Sequence, residues 1–333
     1  MAEAPDTECE PLDIAGIVVG VTGPEPCRRV VRRRFGSTRR PGAAPEIRLD
    51  LGDEPDPVPG GEPDAVVQNI AVWEPRDAGA ATVFAAHRTT ARVAGTEVRV
   101  GGPVETPVDR TAFDMVCQCA VGVAVASPRR ALVHAAVVAR GRGAVLVVGG
   151  SGRGKSTAAV AAFASGWELC GDDLAVVERD ADAWVVTAVR RPVAVPAEVL
   201  VGLPGADSAV VVEGDDPARA RRALPLEILA AGRRRLAAVV VAGHDAGDGR
   251  VEPLGAGSLD PVVGALATIP TPGILRRHLA VLSGLAGLPS FRLSHAADPD
   301  RRRRRAGAML DEIAAAVGLD PGAAGLQSGE AGQ

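Results

Sequence analysis

The sequence contains no tyrosine and few other aromatic residues, with five Phe and three Trp among 333 residues. Hydrophobic residues nevertheless make up 47 % of the chain and charged residues 23 %, which is the balance of a soluble globular protein. Because aromatic side chains are scarce, we expect a core built from Ala, Val and Leu. The length allows one large domain or two ordinary ones.

Long apolar runs are also lacking. No stretch reaches the roughly 18 consecutive apolar residues of a membrane helix. The nearest is Ala131 to Val148, which a Gly- and Arg-containing turn at Arg140 to Gly143 interrupts. The first residues, Met1 to Pro11, are acidic and do not show the basic and then apolar order of a signal peptide. We therefore expect a cytoplasmic protein without a membrane partner.

Neither the charge nor the cysteines indicate a specialised partner. The formal net charge is -4 and the pI about 5.8, so no excess of positive charge points to nucleic acid. The five cysteines are scattered, and Cys117 and Cys119 have no second pair that would complete a zinc site. We expect plain reduced thiols.

The first part of the chain has the pattern of short strands separated by turns. Strand-like segments are Ile14 to Val21, Glu46 to Leu51, Thr82 to Thr90 and Thr96 to Val100, and the last two are expected to form a hairpin around Ala94-Gly95. The Pro- and Gly-rich stretch Gly52 to Asp64 predicts a loop. We assign residues 1–125 to a smaller β-rich accessory domain.

The second part has an α/β pattern, and we assign it to residues 126–317. A helix is predicted over Thr111 to Ser127, at the junction of the two parts. The predicted strands are Leu132 to Ala139, Ala144 to Val148, Leu174 to Val177, Ala183 to Val189, Leu236 to Ala242 and Phe291 to Leu293, and the later helices are Ser156 to Phe163, Gly273 to Leu285 and Asp300 to Val317. Residues 318–333 are Gly- and Ala-rich and are predicted to be disordered.

A phosphate-binding loop follows the apolar run Ala144 to Val148. It fits the pattern G-x-x-x-x-G-K-[ST] at each fixed position, and its residues are Gly149, Gly150, Ser151, Gly152, Arg153, Gly154, Lys155 and Ser156, with Thr157 directly after them. Glycines let successive backbone N–H groups point at phosphate oxygens, and the following helix adds its positive end. Lys155 is expected at the β- and γ-phosphates of ATP, and the Ser156 hydroxyl at Mg²⁺.

Two adjacent carboxylates, Asp172 and Asp173, come sixteen and seventeen residues after Ser156. Neighbours in a strand point to opposite faces, so only one of the pair faces the phosphate unless the backbone kinks. One carboxylate would then take a proton from an attacking hydroxyl while the other helps to hold Mg²⁺. The alternative is a solvated turn that happens to carry two acids.

His134 lies fifteen residues before Gly149, within an apolar run. On this position alone it is either a core histidine or part of the site. The other four histidines, His87, His244, His278 and His295, are dispersed without ligand spacing, and we expect them to be structural.

The block from His134 to Val177 resembles the catalytic domain of HPr kinase/phosphorylase and its wider kinase-like superfamily. The matching features, in chain order, are His134-Ala135-Ala136, the run Val145 to Gly149, the loop Ser151 to Ser156, the segment Ser165 to Leu169 and the pair Asp172-Asp173. In that family the loop has the form G-x-S-G-x-G-K-S, and a stretch of the form R-G-H-x-L-x-x-D-D follows it. About 45 residues match well, and the remainder to about residue 317 matches in layout only.

The resemblance implies an ATP- and Mg²⁺-dependent transfer of the γ-phosphate to a serine. Asp172 would be the general base, Asp173 would assist with metal and phosphate, and His134 would tune the two acids. Family members often assemble into oligomers, so the resemblance also points to a homo-oligomer. Its peptide-modifying relatives, such as the kinases of lasso peptide precursors, imply a peptide or protein acceptor.

Two departures from the family pattern indicate a divergent member without the phosphorylase signature. Thr157 stands where the bifunctional enzymes have Glu, and nothing after Val189 matches their L-E-x-R-G-x-G-I signature. The expected reaction is therefore the kinase direction.

Several arginines could supply a further cation at the phosphates. The pairs and runs are Arg221-Arg222 and Arg233 to Arg235, of which we prefer Arg222. The run Arg301 to Arg305 is either a solvated helix face or a docking site for an acidic substrate.

Asp245 is an alternative metal-binding acid. The alternative function is a nucleotide-binding regulatory or ATPase module without a phosphoryl acceptor, and an ATPase of this kind could use Asp245 for the metal. A small-molecule kinase is a third alternative.

Overall fold

The computed structural model describes residues 8–36, 38–77, 80–200, 203, 206–212, 221–244, 249–255, 260–296 and 298–319. These residues form two compact units. The first comprises the chain up to Val133 with Val189–Arg191 and Leu266–Val281, and the second comprises His134–Ala188, Pro192–Ala265 and the chain from Leu282. The sequence-based boundary at residues 125 and 126 stays a prediction. The predicted disordered tail lies almost entirely outside the described residues.

The elements of the first unit are mostly strands. They are β1 (Glu10–Ile14), β2 (Ile17–Thr22), α1 (Glu25–Phe35), β3 (Ile47–Gly52), β4 (Ala65–Val67), β5 (Ile70–Trp73), β6 (Thr82–Ala86), β7 (Thr89–Ala94), β8 (Glu97–Gly101), α2 (Pro107–Val125) and β9 (Arg130–Val133).

The second unit combines strands with helices. They are β10 (Ala136–Arg140), β11 (Gly143–Val148), α3 (Lys155–Ala164), β12 (Glu168–Gly171), β13 (Ala175–Asp180), β14 (Ala183–Ala188), β15 (Val193–Pro196), β16 (Val210–Val212), β17 (Arg221–Leu224), β18 (Arg234–His244), β19 (Arg250–Pro253), α4 (Asp260–Val263), β20 (Ser290–His295) and α6 (Pro299–Ala316), while the residues of α5 (Pro272–Ala286) are shared between the units.

The first unit is built on an eight-stranded sheet with the order β1-β2-β3-β8-β7-β6-β5-β4. The pairs β2-β3 and β3-β8 are parallel, and the other pairs are antiparallel. The apolar run Ile14 to Val21 is not one strand, because it contains the end of β1, the turn at Ala15-Gly16 and most of β2. The predicted loop Gly52 to Asp64 is confirmed apart from Gly52, which ends β3.

Helix α2 packs on β6, β7 and β8 and begins with a capping box. The Thr106 hydroxyl accepts a hydrogen bond from the backbone N–H of Asp109, whose carboxylate accepts one in return from the backbone N–H of Thr106. This exchange satisfies two backbone groups that a helix start otherwise leaves unpaired. The predicted helix over Thr111 to Ser127 is confirmed, with a start four residues earlier.

The second unit is a mixed α/β structure around a sheet with the order β12-β10-β11-β18-β14-β13, to which β20 and then β19 are added beside β18. Strand β11 is buried along its whole length and pairs in parallel with β18, and β18 pairs in parallel with β20. Helices α3 and α6 pack on each other. Their apolar faces enclose a core dominated by Ala, Val and Leu, as the composition predicts.

A three-stranded sheet with the order β15-β17-β16 completes the second unit.

The predicted strand Leu132 to Ala139 is wrong as one element, because it is divided into β9 and β10, with His134 and Ala135 between them. No helix among the described residues is long and apolar enough to cross a membrane.

Candidate functional site

Strand directions bring three separate chain segments to one edge of the second sheet. Strand β10 is antiparallel to both β11 and β12, so β11 and β12 end at the edge where β10 begins. The phosphate loop follows β11, the aspartate pair follows β12, and His134 precedes β10. Residues that are far apart in sequence therefore meet at one edge, and all of them belong to the second unit.

The phosphate loop joins β11 to α3. Its residues Gly150 to Arg153 are exposed, and Lys155 begins α3, with Ser156 and Thr157 half-buried in the first turn. Gly152 and Gly154 adopt positive φ angles of 74° and 93°, which side chains of L-amino acids strongly disfavour. The buried strand and the helix that sequence analysis predicted around this loop are confirmed.

Lys155 is the most enclosed cation of this edge. Its side chain is 6 % exposed, and its Nζ donates hydrogen bonds to the carbonyls of Gly149 at 2.9 Å and Gly150 at 3.3 Å. Burial lowers the pKa of Lys155, while the negative charges of Asp173 and Asp172 oppose that shift. Both aspartates therefore lie within electrostatic reach of the lysine.

The aspartate pair occupies a bend between β12 and β13. Here the backbone does kink, so the strict alternation of a strand does not apply to the two side chains. Asp172 is 6 % exposed and Asp173 is half-buried, so the pair is not a solvated turn. A carboxylate that is shielded from water interacts more strongly with nearby charges than an exposed one.

His134 contacts the aspartate pair. Its Nε2 lies 2.9 Å from Oδ1 of Asp173, and the backbone N–H of the next residue, Ala135, donates to the carbonyl of Asp173 at 3.0 Å. His134 is half-buried and is not a core residue. The structure thus brings together the four side chains that sequence analysis placed at the reacting centre, those of His134, Lys155, Asp172 and Asp173.

The donor set suits a nucleotide phosphate and Mg²⁺. An ideal Cβ at Gly152 meets no atom within 4 Å, so the outer face of the loop is open to a phosphate group. The oxygens of Ser156 and Asp173 are the hard ligands that Mg²⁺ prefers, and this ion is usually held by one or two carboxylates together with substrate phosphates. Among the described residues no group of three or more His, Cys, Asp or Glu side chains forms a metal cluster.

The arginine candidates differ in their contacts. Arg233 forms ion pairs with Glu178 and Asp180, and Arg234 forms one with Glu168. Arg222, the preferred candidate, lies exposed on β17, and it stays a prediction. Asp245, the alternative metal ligand, lies outside the described residues.

Two further residues of this edge were missed by sequence analysis, which treated them as structural. His244 and His295 lie beside the phosphate loop and contact its backbone. Their spacing in the sequence gives no signal, since they converge only because β18 and β20 are parallel neighbours.

No family model and no curated protein matches the chain. Among solved structures the chain is similar to the HPr(Ser) kinase/phosphatase from Coxiella burnetii, with 13 % sequence identity and a TM-score of 0.29, over 56 % of this chain and 91 % of that chain.

Proposed function

We propose that the second unit is an ATP- and Mg²⁺-dependent kinase that transfers the γ-phosphate to a serine hydroxyl of a peptide or protein. The observation that carries this proposal is the enclosure of Lys155 beside two aspartates at the end of a strand–glycine loop–helix segment. A site for binding alone needs the loop and the lysine. The proposal assigns to the second, buried carboxylate at Asp172 the acceptance of a proton, a role that a site for binding alone does not require.

The loop and Lys155 bind and orient the triphosphate in this proposal. Backbone N–H groups and the N-terminal end of α3 face the phosphate oxygens, and the Lys155 ammonium neutralises charge on the β- and γ-phosphates. Ser156 and Asp173 would hold Mg²⁺, which when bound neutralises charge that develops on the phosphate oxygens. Transfer then depends mainly on positioning and charge stabilisation.

Asp172 accepts the proton of the attacking serine. As the hydroxyl oxygen forms its bond to the γ-phosphorus, the bond from that phosphorus to the bridging oxygen of the β-phosphate breaks and ADP leaves. The hydroxyl proton moves to the Asp172 carboxylate. Asp173, oriented by His134, keeps the second negative charge beside Lys155.

A radiolabelled γ-phosphate assay tests the proposal. The purified protein is given Mg²⁺, labelled ATP and serine-containing peptides and proteins encoded by neighbouring genes, in parallel with the variants Lys155→Ala and Asp172→Asn. Asp182→Asn is the matched control, because Asp182 is an exposed aspartate in the β13–β14 turn. We expect label on an acceptor serine with the parent and the control, and a loss of at least about 100-fold with both site variants.

The assay also separates the alternative function. Asp172→Asn should keep its affinity for ATP, since the loop and Lys155 are unchanged. Release of free phosphate without any labelled acceptor, at the same rate in Asp172→Asn as in the parent, would overturn the kinase proposal in favour of an ATPase module.

A further inference from the structure

His244 and His295 lie next to each other at the edge that carries the phosphate loop. His244 is the last residue of β18 and His295 is the last residue of β20, and the two are partners in the register of this parallel pair. Strand β18 is also the parallel neighbour of β11, from which the loop emerges. The centroids of the two imidazole rings are 5.9 Å apart.

Each imidazole is hydrogen-bonded to a carbonyl of the loop. The Nε2 atom of His244 lies 2.8 Å from the carbonyl oxygen of Gly152, and that of His295 lies 3.1 Å from the carbonyl oxygen of Gly154. Because a carbonyl oxygen can only accept, both contacts require the Nε2 atoms to carry hydrogen and to donate. Two side chains from separate strands thus bind alternate peptide groups of the loop.

Holding these carbonyls fixes the orientation of two peptide groups of the loop. In a trans peptide the C=O and the following N–H point in opposite directions. The His244 contact therefore turns the N–H of Arg153 away from the histidines, and this N–H donates to the carbonyl of Gly150 at 3.2 Å within the loop. The His295 contact does the same for the N–H of Lys155, and the Gly154 carbonyl also accepts the backbone N–H of Ala158 at 2.9 Å. A loop that binds phosphate through its N–H groups needs partners for the carbonyls on its other face.

His295 also fits closely against the loop backbone. It is 0 % exposed, and an ideal Cβ at Gly154 would lie 2.5 Å from its Cδ2 and Nε2 atoms. The ring therefore fills the space beside Gly154 that a side chain would otherwise occupy. His244, in contrast, is exposed, so it can be replaced without opening a cavity in the core.

We propose that His244 and His295 are positioning residues that hold the phosphate loop in its binding conformation by donating hydrogen bonds to the carbonyls of Gly152 and Gly154. This inference rests on the proposed binding of a nucleotide by the loop. The two histidines take no part in bond making, and they act on the phosphates only through the backbone they hold.

Replacement of His244 gives the sharper test. Leu has a similar volume but no donor, whereas the side-chain amide of Gln can place an N–H group near the position of Nε2. For His244→Leu we expect the Kd and the KM for MgATP to rise about five- to tenfold, which matches the loss of one neutral hydrogen bond, with kcat changed less than twofold. For His244→Gln we expect values within twofold of the parent.

Hydrogen exchange of the loop segment provides a readout that does not depend on catalysis. His244→Leu should increase amide exchange across residues 149–156, and His244→Gln should not. His295→Gln, which keeps a donor beside Gly154, serves as the second variant and should retain the affinity of the parent within about threefold.

The outcomes separate this inference from the proposed function. If the parent protein itself binds no MgATP, the proposed function fails. If the parent binds MgATP and His244→Leu binds it equally well, or if Leu and Gln weaken binding alike, the positioning role is overturned while the nucleotide site stands.

Discussion

Asp173 is held by neighbouring residues through both its side chain and its backbone. Its Oδ1 lies 2.9 Å from Nε2 of His134, and its carbonyl oxygen accepts the backbone N–H of Ala135 at 3.0 Å. The chain segment that precedes β10 therefore restrains the bend that carries the aspartate pair. In the proposed kinase this double contact would orient the Asp173 carboxylate for holding Mg²⁺.

Removal of the imidazole should slow transfer without preventing nucleotide binding. We expect His134→Ala to lower kcat about 10- to 100-fold, the usual effect of losing a side chain that orients a metal-binding carboxylate. His134 is half-buried, so the variant should fold. The measurement is steady-state transfer of the γ-phosphate at saturating MgATP.

A double-mutant cycle with Asp173→Asn tests the coupling of the two residues. Side chains in direct contact give effects that are not additive in free energy. We therefore expect the double variant to be little slower than Asp173→Asn alone. If the two losses in kcat simply multiply, His134 does not act through Asp173.

Gly154 and Gly152 are expected to differ in their tolerance of a side chain. Both have positive φ, so Ala should cost about 1–2 kcal/mol of unfolding free energy at either position. Only at Gly154 does the added Cβ also meet the buried His295 ring, and overpacking typically costs about 1–3 kcal/mol more. Urea unfolding of Gly154→Ala and Gly152→Ala measures the difference, and equal midpoints would contradict the contact.

Sequence patterns were sufficient to predict an element where one short segment of the chain determines its structure. The apolar run before Gly149, the glycine spacing and the Ala-rich helix after Lys155 all lie within about twenty residues, so the strand–loop–helix segment was predicted with nearly the observed bounds. Helix α2 was predicted for the same reason. The α/β character of the second unit followed from the mixture of predicted strands and helices.

Helix α1 was missed although its signal is present. Cys27, Val30, Val31 and Phe35 recur at helical spacing and are buried, but Pro26 and the many arginines between them obscure the pattern. A search of this stretch for period 3.6 rather than period 2 would have found the helix.

The convergence at the loop edge could not be predicted from spacing. His244 and His295 are brought together by the strand order β11-β18-β20, in which strands that are distant in sequence are neighbours. His134 was assigned to the same site as the pair Asp172-Asp173 only through the family resemblance. Long-range strand pairing depends on burial across the whole sheet, which no local window contains.

Asp311 should contribute measurably to the stability of the second unit. Its Oδ1 accepts hydrogen bonds from Nη1 of Arg140 at 2.5 Å and from Nε1 of the buried Trp167 at 2.8 Å. The Arg140 guanidinium also lies over the Trp167 ring, 5.5 Å from its centroid. The Asp311 side chain is 43 % exposed, so water screens its attraction to the Arg140 charge, and this ion pair contributes little to stability. Most of the effect therefore comes from the hydrogen bond to the buried indole N–H.

We expect Asp311→Ala to lower the unfolding free energy by about 1–2 kcal/mol, since the Trp167 N–H loses its partner. Asp311→Asn should lose about half as much, because its amide oxygen still accepts from Trp167. Glu312→Ala, at the exposed neighbouring position, is the control and should change stability by less than about 0.5 kcal/mol. Urea unfolding followed by tryptophan fluorescence makes the comparison, and a loss of the same size for Asn and Ala would assign the effect to the charge instead.

His278 should make folding stability fall at acidic pH. It is 0 % exposed, and its Nδ1–H donates to the carbonyl of Ile274 at 2.9 Å, one turn earlier in α5. Burial lowers the pKa of His278 below its ordinary value of 6.5, the positive charge of Arg277 adds to this shift, and the bond to Ile274 opposes it. The folded protein therefore keeps this imidazole neutral at pH values where the unfolded chain protonates it.

The sign of the pH effect follows from proton binding. Above pH 6.5 both states hold His278 neutral and its contribution to stability is complete. As the pH falls below 6.5 the unfolded state binds a proton that the folded state does not, so the unfolding free energy decreases, by up to about 1.4 kcal/mol per pH unit. In His278→Leu this titration is gone, so the variant should lose less stability than the parent between pH 7 and pH 5. Carboxylates titrate alike in both proteins and cancel in the comparison, so equal losses would mean that the folded protein accommodates a protonated His278.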